Sequence, residues 1–141
     1  MNRATLNAGE SAVVNWTVTT EDLASALSAD PRDQFPDVFA TSRMVALMEL
    51  AAARVMRPLL TEGELSVGVT VDVTHSAATA CGETVRATAE YVGQEGKLYL
   101  FEVRAEDADG EIGRGTHQRT IVSTNRLLEG VERRRGNNGA E

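Results

Sequence analysis

The sequence has little cysteine and little positive charge, and each shortage excludes a class of protein. Its one cysteine, Cys81, cannot form an intrachain disulfide, so we expect a cytoplasmic protein. Lys and Arg number 14 against 21 Asp and Glu, which gives a net charge of −7. Such an acidic chain is not expected to bind nucleic acid or an anionic membrane as its general partner, although a local arginine cluster can still bind a small anion.

The sequence also lacks several motifs that mark particular functions. No apolar run approaches the roughly 20 residues that span a bilayer, and residues 1–11 lack the apolar stretch of a signal peptide. Two histidines and one cysteine, widely spaced, match no pattern of metal ligands. There is neither a glycine-rich phosphate loop nor a GxSxG nucleophile elbow. Membrane-spanning, metal-binding and these two motif-bearing classes are therefore not expected.

What is present describes one globular domain. Hydrophobic residues make up 42% of the 141 residues and charged residues 25%, which is typical of a soluble chain with a real core. We assign residues 1–135 to this single domain. Residues 136–141, which are mostly glycine and asparagine, are expected to form a flexible C-terminal tail.

One long amphipathic helix is expected between Thr41 and about Met56. Its apolar residues recur with the helical period, Thr41 or Ser42 can cap its start, and Pro58 stops it. Upstream, residues 21–29 can form a short helix. The long helix is the element on which most of the candidate chemistry lies.

Alternating apolar residues predict strands on both sides of this helix. They are residues 10–20 before it and residues 66–75, 84–92, 97–106 and 111–123 after it. A final short helix is expected at 124–135, capped by Ser123 or Thr124. Alternation in the strand at 66–75 predicts that one face carries Val67, Val69, Val71, Val73 and His75.

The order of these elements predicts the fold class. Tight turns between consecutive strands favour an antiparallel meander, and the long helix must bury its apolar face against that sheet. The expected fold is α+β, a hot-dog arrangement in which an antiparallel sheet of about five strands wraps around one long helix. Because one helix cannot cover the sheet fully, we expect a homodimer.

Glu49 is the first candidate for chemistry. It interrupts an apolar run of the expected helix, and its neighbours three and four positions away cannot pair with a carboxylate: Val45, Ala46, Ala52 and Ala53. A carboxylate beside an apolar face is costly unless a specific partner satisfies it, and such acids cluster at functional sites. The alternative is a solvated carboxylate at the rim or an ion pair in an interface.

A hydroxyl and an imidazole can complete such a site. Thr41 opens the helix about two turns before Glu49, so both can border one cleft, and His75 ends the valine-rich strand. Together they can supply a nucleophile or activated water, a general base and an orienting or attacking acid. Each also has an ordinary interpretation, Thr41 as a helix cap and His75 as hydrogen-bonded scaffolding. His117 is a competing candidate, ranked below His75 because it lies mid-strand among polar residues.

Gly68 and Arg119 are candidates for contacting a substrate. A glycine within a strand often marks a bulge or a close backbone approach, and the amide N–H of Gly68 can then face a substrate carbonyl. Arg119, in the last strand, can meet a phosphate or a carbonyl oxygen. For Arg119 a surface cation on a polar face is an equal alternative.

Four blocks of sequence resemble the fluoroacetyl-CoA thioesterase family of the hot-dog superfamily. They lie between about Phe35 and Val122, at residues 35–41 (FPDVFAT), 44–49 (MVALME), 73–79 (VTHSAAT) and 111–119 (EIGRGTHQR). Several blocks in the same order and with fitting spacing are a more specific signal than any single motif.

The resemblance implies the roles of six residues and the assembly. The active-site residues of the family fall on Thr41, Glu49 and His75, the substrate-contacting residues on Gly68 and Arg119, and a gating phenylalanine on Phe35. The family forms a homodimer with a continuous sheet and active sites at the subunit interface. Its substrate is an acyl-CoA and its co-substrate is water, with no metal and no other cofactor.

The implied reaction is hydrolysis of a short acyl-CoA. The backbone N–H near Gly68 would polarise the thioester carbonyl, with Arg119 helping through water. His75 would act as general base or acid, and Thr41 would hydrogen-bond Glu49 and the developing oxyanion. Glu49 would either attack the carbonyl, giving an anhydride, or activate water, and the sequence leaves both open.

The acyl group and its carrier are also left open. A second lid aromatic of the fluoroacetyl-specific enzyme is replaced here by Arg32, in a polar segment, so another short acyl-CoA or an acyl-carrier-protein thioester fits as well. Two alternatives share the fold, a non-hydrolytic acyl-CoA binding module and a dehydratase or hydratase of β-hydroxyacyl thioesters. The presence of Thr41, Glu49 and His75 disfavours the first, and the usual sequence context of the second is absent.

Overall fold

Five strands and two helices make up the chain in the computed structural model, which describes residues 3–139. The strands are β1 (Ser11–Thr17), β2 (Glu64–His75), β3 (Thr84–Glu95), β4 (Leu98–Asp107) and β5 (Gly110–Ser123). The helices are α1 (Thr41–Met56) and α2 (Thr124–Gly139). Short 3₁₀ turns occupy Thr20–Asp22, Ala24–Leu27 and Arg57–Leu59, so the short helix expected at 21–29 is instead two separate turns.

The five strands form one antiparallel sheet in the order β1-β3-β4-β5-β2. Strands β3, β4 and β5 follow one another as a meander, with two residues between the end of each strand and the start of the next. Helix α1 packs against the sheet and contacts β1, β2, β3 and β4. The predicted α+β hot-dog arrangement is therefore confirmed, and β1 and β2 are the two edges of the sheet.

Helix α1 buries one apolar stripe against the inner face of the sheet. The stripe consists of Met44, Leu47, Met48, Ala51, Ala52, Val55 and Met56. Alternate residues of β3 and β4 meet it: Val85, Ala87, Ala89, Tyr91, Tyr99, Phe101, Val103 and Ala105. Each fully buried Met or Leu side chain contributes about 1.5–3 kcal/mol, so this stripe fixes the rotation of α1 about its axis. Glu49 then lies beside the stripe and not within it.

The start of α1 differs from the sequence prediction. Ala40 is the N-cap residue and Thr41 is the first helical residue, so the prediction that Thr41 or Ser42 caps the helix is wrong. Backbone groups hold this end instead, because the Ala40 N–H donates to the Asp22 carbonyl oxygen at 2.9 Å and the Ala40 carbonyl accepts from the Met44 N–H at 3.0 Å. The hydroxyl of Thr41 is thereby free to bind a partner elsewhere.

A β-bulge interrupts β2. Gly68 pairs with Arg119 and Val71 with His117, so the pairs are three residues apart on β2 but two apart on β5, and Val69 lies in the bulge. The extra residue reverses which positions face inward, so odd-numbered residues face opposite sides of the sheet before and after the bulge. The prediction that all four valines of β2 share one face is wrong. Gly68 faces α1 on the same side of the sheet as His117 and Arg119.

Helix α2 continues directly from β5. The Ser123 hydroxyl accepts a hydrogen bond from the Arg126 N–H at 3.3 Å, which confirms the predicted cap at Ser123. The helix runs to Gly139, into the segment that the sequence analysis assigns to the tail, and residues 140–141 of that segment lie outside the described residues. No helix within residues 3–139 is long and apolar enough to cross a membrane.

Candidate active site

Thr41 and His75 form one cluster at the start of α1. The Thr41 Oγ1 atom lies 2.8 Å from the His75 Nδ1 atom. His75 ends β2 and pairs with Gly113 of β5. A Cβ atom at Gly113 would lie 2.6 Å from the sulfur of Met44, so the missing side chain lets the first turn of α1 approach the sheet. Gly113 therefore makes the contact between hydroxyl and imidazole possible.

The second ring nitrogen of His75, Nε2, is buried and has no hydrogen-bond partner among residues 3–139. A buried polar atom without a partner is costly, so in a native protein water, a ligand or another chain is expected to pair with it. Burial lowers the pKa of His75 below its ordinary value of 6.5. The ring is therefore neutral at pH 7 and can accept a proton.

A cavity of about 370 Å³ opens beside this cluster. Thr41 and His75 line it together with apolar side chains that include Pro36, Val38 and Ala78. An apolar wall with one imidazole and the hydroxyl-bearing residues Thr41 and Ser76 is suited to a small, mostly apolar group. Phe35 precedes this wall and is 49% exposed, and the gating role implied for it stays a prediction.

Glu49, Gly68 and Arg119 form a second cluster midway along α1. The Arg119 Nη1 atom lies 3.5 Å from the Glu49 Oε1 atom. A Cβ atom at Gly68 would lie 2.5 Å from the same oxygen, so the carboxylate rests on bare strand backbone beside the bulge. The Glu49 side chain is 39% exposed, which leaves the carboxylate open to a substrate or to water. An accessible acid on a backbone that carries no side chain can act as a nucleophile or as a general base.

Arg119 is buried, so its interpretation as a surface cation is wrong. The side chain is 8% exposed, and two of its nitrogens bind Ser66: Nη2 donates to the carbonyl oxygen at 2.9 Å and Nε to the hydroxyl at 3.1 Å. The third nitrogen, Nη1, lies 3.2 Å from the His117 Nε2 atom. Burial lowers the pKa of Arg119 and the Glu49 charge raises it, but a guanidinium stays protonated in proteins. The cluster thus contains one fixed positive charge.

One chain does not bring the two clusters together. Thr41 and Glu49 are eight residues apart on α1, which is about 12 Å along the helix axis. None of the residues that line the cavity at His75 belongs to the second cluster. The expectation that Thr41 and Glu49 border one cleft is therefore not met within a single chain.

Sequence reasoning missed two residues that contact the clusters and placed a third below His75. Ser66 and Gly113 look like ordinary strand residues, and His117 was ranked second to His75. The sequence signal for a close approach at this place is the pair of alternating glycines at positions 113 and 115. The structure shows why both are needed, because a Cβ atom at Gly115 would overlap the Asp72 carbonyl oxygen. Among residues 3–139, no group of three or more His, Cys, Asp or Glu side chains is placed to hold a metal ion.

Comparisons with known proteins agree on one family. A sequence profile described as fluoroacetyl-CoA-specific thioesterase matches residues 18–125. The fluoroacetyl-CoA thioesterase of Streptantibioticus cattleyicolor is 49% identical over 89 residues, which are 63% of this chain and 64% of that protein, so the match spans less than two thirds of the relative. The solved structure of the fluoroacetyl-CoA thioesterase FlK is similar with a TM-score of 0.87 and 38% identity, over 92% of this chain and 98% of that one. A thioesterase-superfamily protein of Thermus thermophilus has a TM-score of 0.87 and 29% identity, over 97% and 98% of the two chains.

Proposed function

The chain belongs to the fluoroacetyl-CoA-specific thioesterase family, and from that membership we propose that it hydrolyses a short acyl-CoA thioester to the free acid and CoA. The observation that carries the proposal is the placement of Glu49, an accessible carboxylate held against Gly68 and Arg119. The relatives that share the fold over nearly their whole length are thioesterases by name, which supports the same reaction class.

In the proposed mechanism, the cluster at Glu49 activates the thioester carbonyl and the cluster at His75 transfers the proton. The backbone N–H beside Gly68 polarises the thioester carbonyl, and the Arg119 charge stabilises the negative charge that develops nearby. His75, which is neutral at pH 7, takes up a proton released by the hydrolytic water and passes it to the departing CoA thiolate. Thr41 orients the imidazole through the 2.8 Å contact.

Two routes for Glu49 fit this arrangement. In the first, a Glu49 oxygen attacks the thioester carbon, the carbon–sulfur bond breaks, and water then hydrolyses the resulting anhydride. In the second, Glu49 removes a proton from a water molecule that attacks the thioester carbon directly, the carbon–sulfur bond breaks, and the proton passes from Glu49 through His75 to the CoA thiolate. Turnover in H₂¹⁸O distinguishes them, because only the first route can leave ¹⁸O in the Glu49 carboxylate.

We also propose that the protein works as a homodimer in which each active site combines the two clusters from different subunits. Strand β2 supports this, because it is an edge strand of 12 residues that exposes Leu65, Val69 and Val71. A long exposed edge with apolar side chains pairs readily with another strand.

A cytoplasmic location is part of the same proposal, since a chain with one cysteine makes no intrachain disulfide.

The direction of β2 supports the combination of clusters. In an antiparallel pair of β2 strands related by a two-fold axis near Asp72, the His75 end of one strand lies beside the Gly68 bulge of the other. The unpartnered Nε2 of His75 would then face Glu49 of the second subunit. Thr41 and Glu49 lie about 12 Å apart along α1 within one chain, but Thr41 of one subunit and Glu49 of the other would lie close together across the interface.

The substrate class proposed is a short acyl group on CoA, with fluoroacetyl-CoA as one member. The segment that precedes α1 is polar, and Arg32 in it forms an exposed ion pair with Asp30 at 3.0 Å. An arginine paired in this way does not supply the apolar cover that an aromatic lid gives to a small acyl group. Other short acyl-CoA esters and carrier-protein thioesters are therefore included in the test.

The experiment that tests the proposed function measures free-thiol release from a panel of acyl-CoA esters: acetyl, fluoroacetyl, propionyl, malonyl, butyryl and phenylacetyl. Glu49→Gln keeps the shape of the side chain and removes its charge, so we expect turnover to fall by more than about 100-fold. Glu129→Gln, the same change on the exposed face of α2, is the control and should be neutral.

Three outcomes are informative. Thermal unfolding at the wild-type temperature would show that Glu49→Gln leaves the fold intact. Near wild-type turnover in that variant would contradict the role of Glu49. Absence of thiol release from every ester by the wild-type protein would contradict acyl-CoA hydrolysis, and would favour carrier-protein thioesters or a binding module.

A further inference from the structure

His117 is a buried imidazole that the proposed mechanism does not use. It lies on β5 two residues before Arg119 and is 1% exposed. Its neighbours in the sheet are Val71 of β2 and Phe101 of β4, and the Phe101 ring centroid lies 6.5 Å from its own. A polar ring in such surroundings is stable only if its nitrogens are paired.

Both nitrogens of His117 are paired, and the two contacts require the same protonation state. Nδ1 lies 2.7 Å from the Thr70 carbonyl oxygen, which can only accept, so Nδ1 carries a hydrogen. Nε2 lies 3.2 Å from the Arg119 Nη1 atom, which can only donate, so Nε2 carries none. The ring is therefore the neutral Nδ1–H tautomer, and Thr70, which supplies its acceptor, directly follows the bulge at Val69.

The groups around the ring favour this neutral form. The ionisable side chains that face it are Arg119 on its own strand and Glu49 from α1, while β2 presents the Thr70 carbonyl and β4 the Phe101 ring. Burial lowers the pKa of His117 and so does the Arg119 charge, against the opposing effects of Thr70 and Glu49. A proton on Nε2 would remove the acceptor and place a second cation against a buried guanidinium.

We propose that His117 is a positioning residue for the Glu49 site. Its Nε2 atom, which carries no hydrogen, fixes the Arg119 guanidinium in the orientation in which Nη1 faces the Glu49 carboxylate. Ser66 holds the other two nitrogens of Arg119, so His117 fixes the one that reaches Glu49. His117 acts on the reaction only through Arg119. The kinetic test of this inference rests on the proposed function, because it measures activity. The NMR test rests on the structure alone.

The kinetic test is a double-mutant cycle of His117→Phe and Arg119→Met. His117→Phe keeps an aromatic ring and removes the acceptor, and we expect kcat to fall roughly tenfold, as for one hydrogen bond to a charged group. In the Arg119→Met background the same substitution should lower kcat by less than about twofold, because the group that it positions is gone. His117→Gln, whose amide oxygen can accept where Nε2 does, should restore most of the lost kcat.

The controls separate positioning from folding. Thr88→Val removes a buried polar group on β3, two strands away from β5, and should leave kcat unchanged. Unfolding temperatures are measured for every variant. Equal fractional losses from His117→Phe with and without Arg119 would overturn the inference, as would a failure of His117→Gln to recover activity in a folded protein.

A second test needs no substrate. The chain has two histidines, so His75→Ala leaves one ¹⁵N-labelled imidazole in an NMR spectrum. We expect the Nδ1–H tautomer at pH 7 and protonation only below the ordinary pKa of 6.5, and Arg119→Met should raise the pH at which the ring protonates. An Nε2–H tautomer or a charged ring at pH 7 would overturn the inference. If the tautomer is as expected but no thioester is hydrolysed, the proposed function fails and the positioning of Arg119 stands.

Discussion

At the scale of single residues, the candidate site depends on Gly68, which has no side chain. Gly68 leaves the space that the Glu49 Oε1 atom occupies, since a Cβ atom there would lie 2.5 Å from that oxygen. The backbone of Gly68 does not adopt a left-handed conformation, so alanine fits the strand itself. The carboxylate would have to move away, and the His117 ring, whose Cε1 atom would lie 3.2 Å from that Cβ, would have to shift by a few tenths of an ångström.

Gly68→Ala should therefore separate activity from stability. Glu49 is the flexible partner, so we expect the free energy of unfolding to change by less than about 1 kcal/mol, while a displacement of the reacting group by about 1 Å lowers kcat roughly 100-fold. Thiol release and urea unfolding measure the two quantities. Gly136→Ala is the control for activity, because a Cβ there meets open space and kcat should stay at the wild-type value. Unchanged kcat in Gly68→Ala would contradict this account of the site.

The protonation of His75 predicts the acid side of the pH profile. Burial lowers its pKa, so the neutral base persists below pH 6.5 and is lost only as the pH falls through that lowered pKa. We expect kcat/KM to hold at pH 6.5 and to decline at lower pH, with this acid limb altered in His75→Gln and kept in His117→Gln. Measurement of kcat/KM from about pH 4.5 to 8 tests this, and a limb centred above 6.5 would contradict it by showing that Glu49 of the second subunit raises the pKa of His75 by more than burial lowers it.

The sequence indicated candidate site residues but not the partners that the structure gives them. Glu49 stood out because its helical neighbours cannot pair with a carboxylate, and the structure pairs it with Arg119, 70 positions away in the chain. Thr41 was expected to cap α1, the local use of a threonine at that place. Its hydroxyl binds His75, 34 residues away, and no local pattern contains that information.

At the scale of elements, the start of α1 is held by a buried network around Asp22. The carboxylate of Asp22 accepts hydrogen bonds from Trp16 Nε1 at 2.8 Å, from the Thr19 N–H at 2.8 Å and from Arg43 Nε at 2.9 Å. Burial alone would raise the pKa of Asp22, but these hydrogen bonds outweigh it and lower the pKa to about 2. The network joins β1 to the first turn of α1, which carries Thr41.

Asp22→Asn should cost stability in a pH-dependent way. The carboxyl group has a pKa of about 2 in the folded chain against 3.8 ordinarily, so its ionised form stabilises the fold by about 2 kcal/mol above pH 4. That contribution is lost as the pH falls toward 2. Urea unfolding of wild type and variant should therefore differ at pH 7 and converge near pH 2.

The control for this prediction is Asp30→Asn. Asp30 also binds an arginine, Arg32, but the pair lies on the surface, where an ion pair adds little to stability. We expect no measurable change in unfolding at either pH. A constant difference between Asp22→Asn and wild type from pH 7 to pH 2 would show that the network stabilises the fold by something other than its charge.

Among the strands, regular alternation decided what could be predicted. The inner faces of β3 and β4 follow the expected residues, because apolar and polar side chains alternate there without interruption around Val85, Ala87, Tyr99 and Phe101. Strand β2 has an equally clear valine pattern, but one extra residue in the bulge shifts it. Alternation cannot reveal such an insertion, since the glycine beside it is also compatible with a regular strand.

At the scale of the whole molecule, the two edges of the sheet are unequal. Strand β1 has 7 residues and β2 has 12, and β2 carries both the Gly68 bulge and His75. This exposed edge bears one residue of each cluster, so in the proposed homodimer it is the surface on which a second copy would complete a site. This is the basis of the next prediction.

Mixing two inactive variants should restore activity if the sites are shared between subunits. Glu49→Gln and His75→Ala damage different clusters, so a mixed dimer has one intact site. At equal amounts about half of the dimers are mixed, and about a quarter of wild-type activity should return. Thiol release after subunit exchange, with native mass spectrometry to count mixed dimers, measures this.

The matched control mixes Thr41→Val with His75→Ala. Both residues belong to the same cluster, so every site in the mixed dimer is damaged and no activity should return. If mixed dimers form and Glu49→Gln with His75→Ala also stays inactive, the two clusters do not meet across the interface.

The glycines of β5 limit which parts of this chain can accept substitutions. A side chain at Gly113 would strike Met44 and one at Gly115 would strike the backbone of β2, so the frame that carries His75 and Thr41 has no room to change. The segment at 30–37, largely exposed and ahead of the helix, is under no such constraint. Under the proposed function, substitutions in that segment can therefore change which acyl group is accepted while the residues around His75 and Thr41 stay the same.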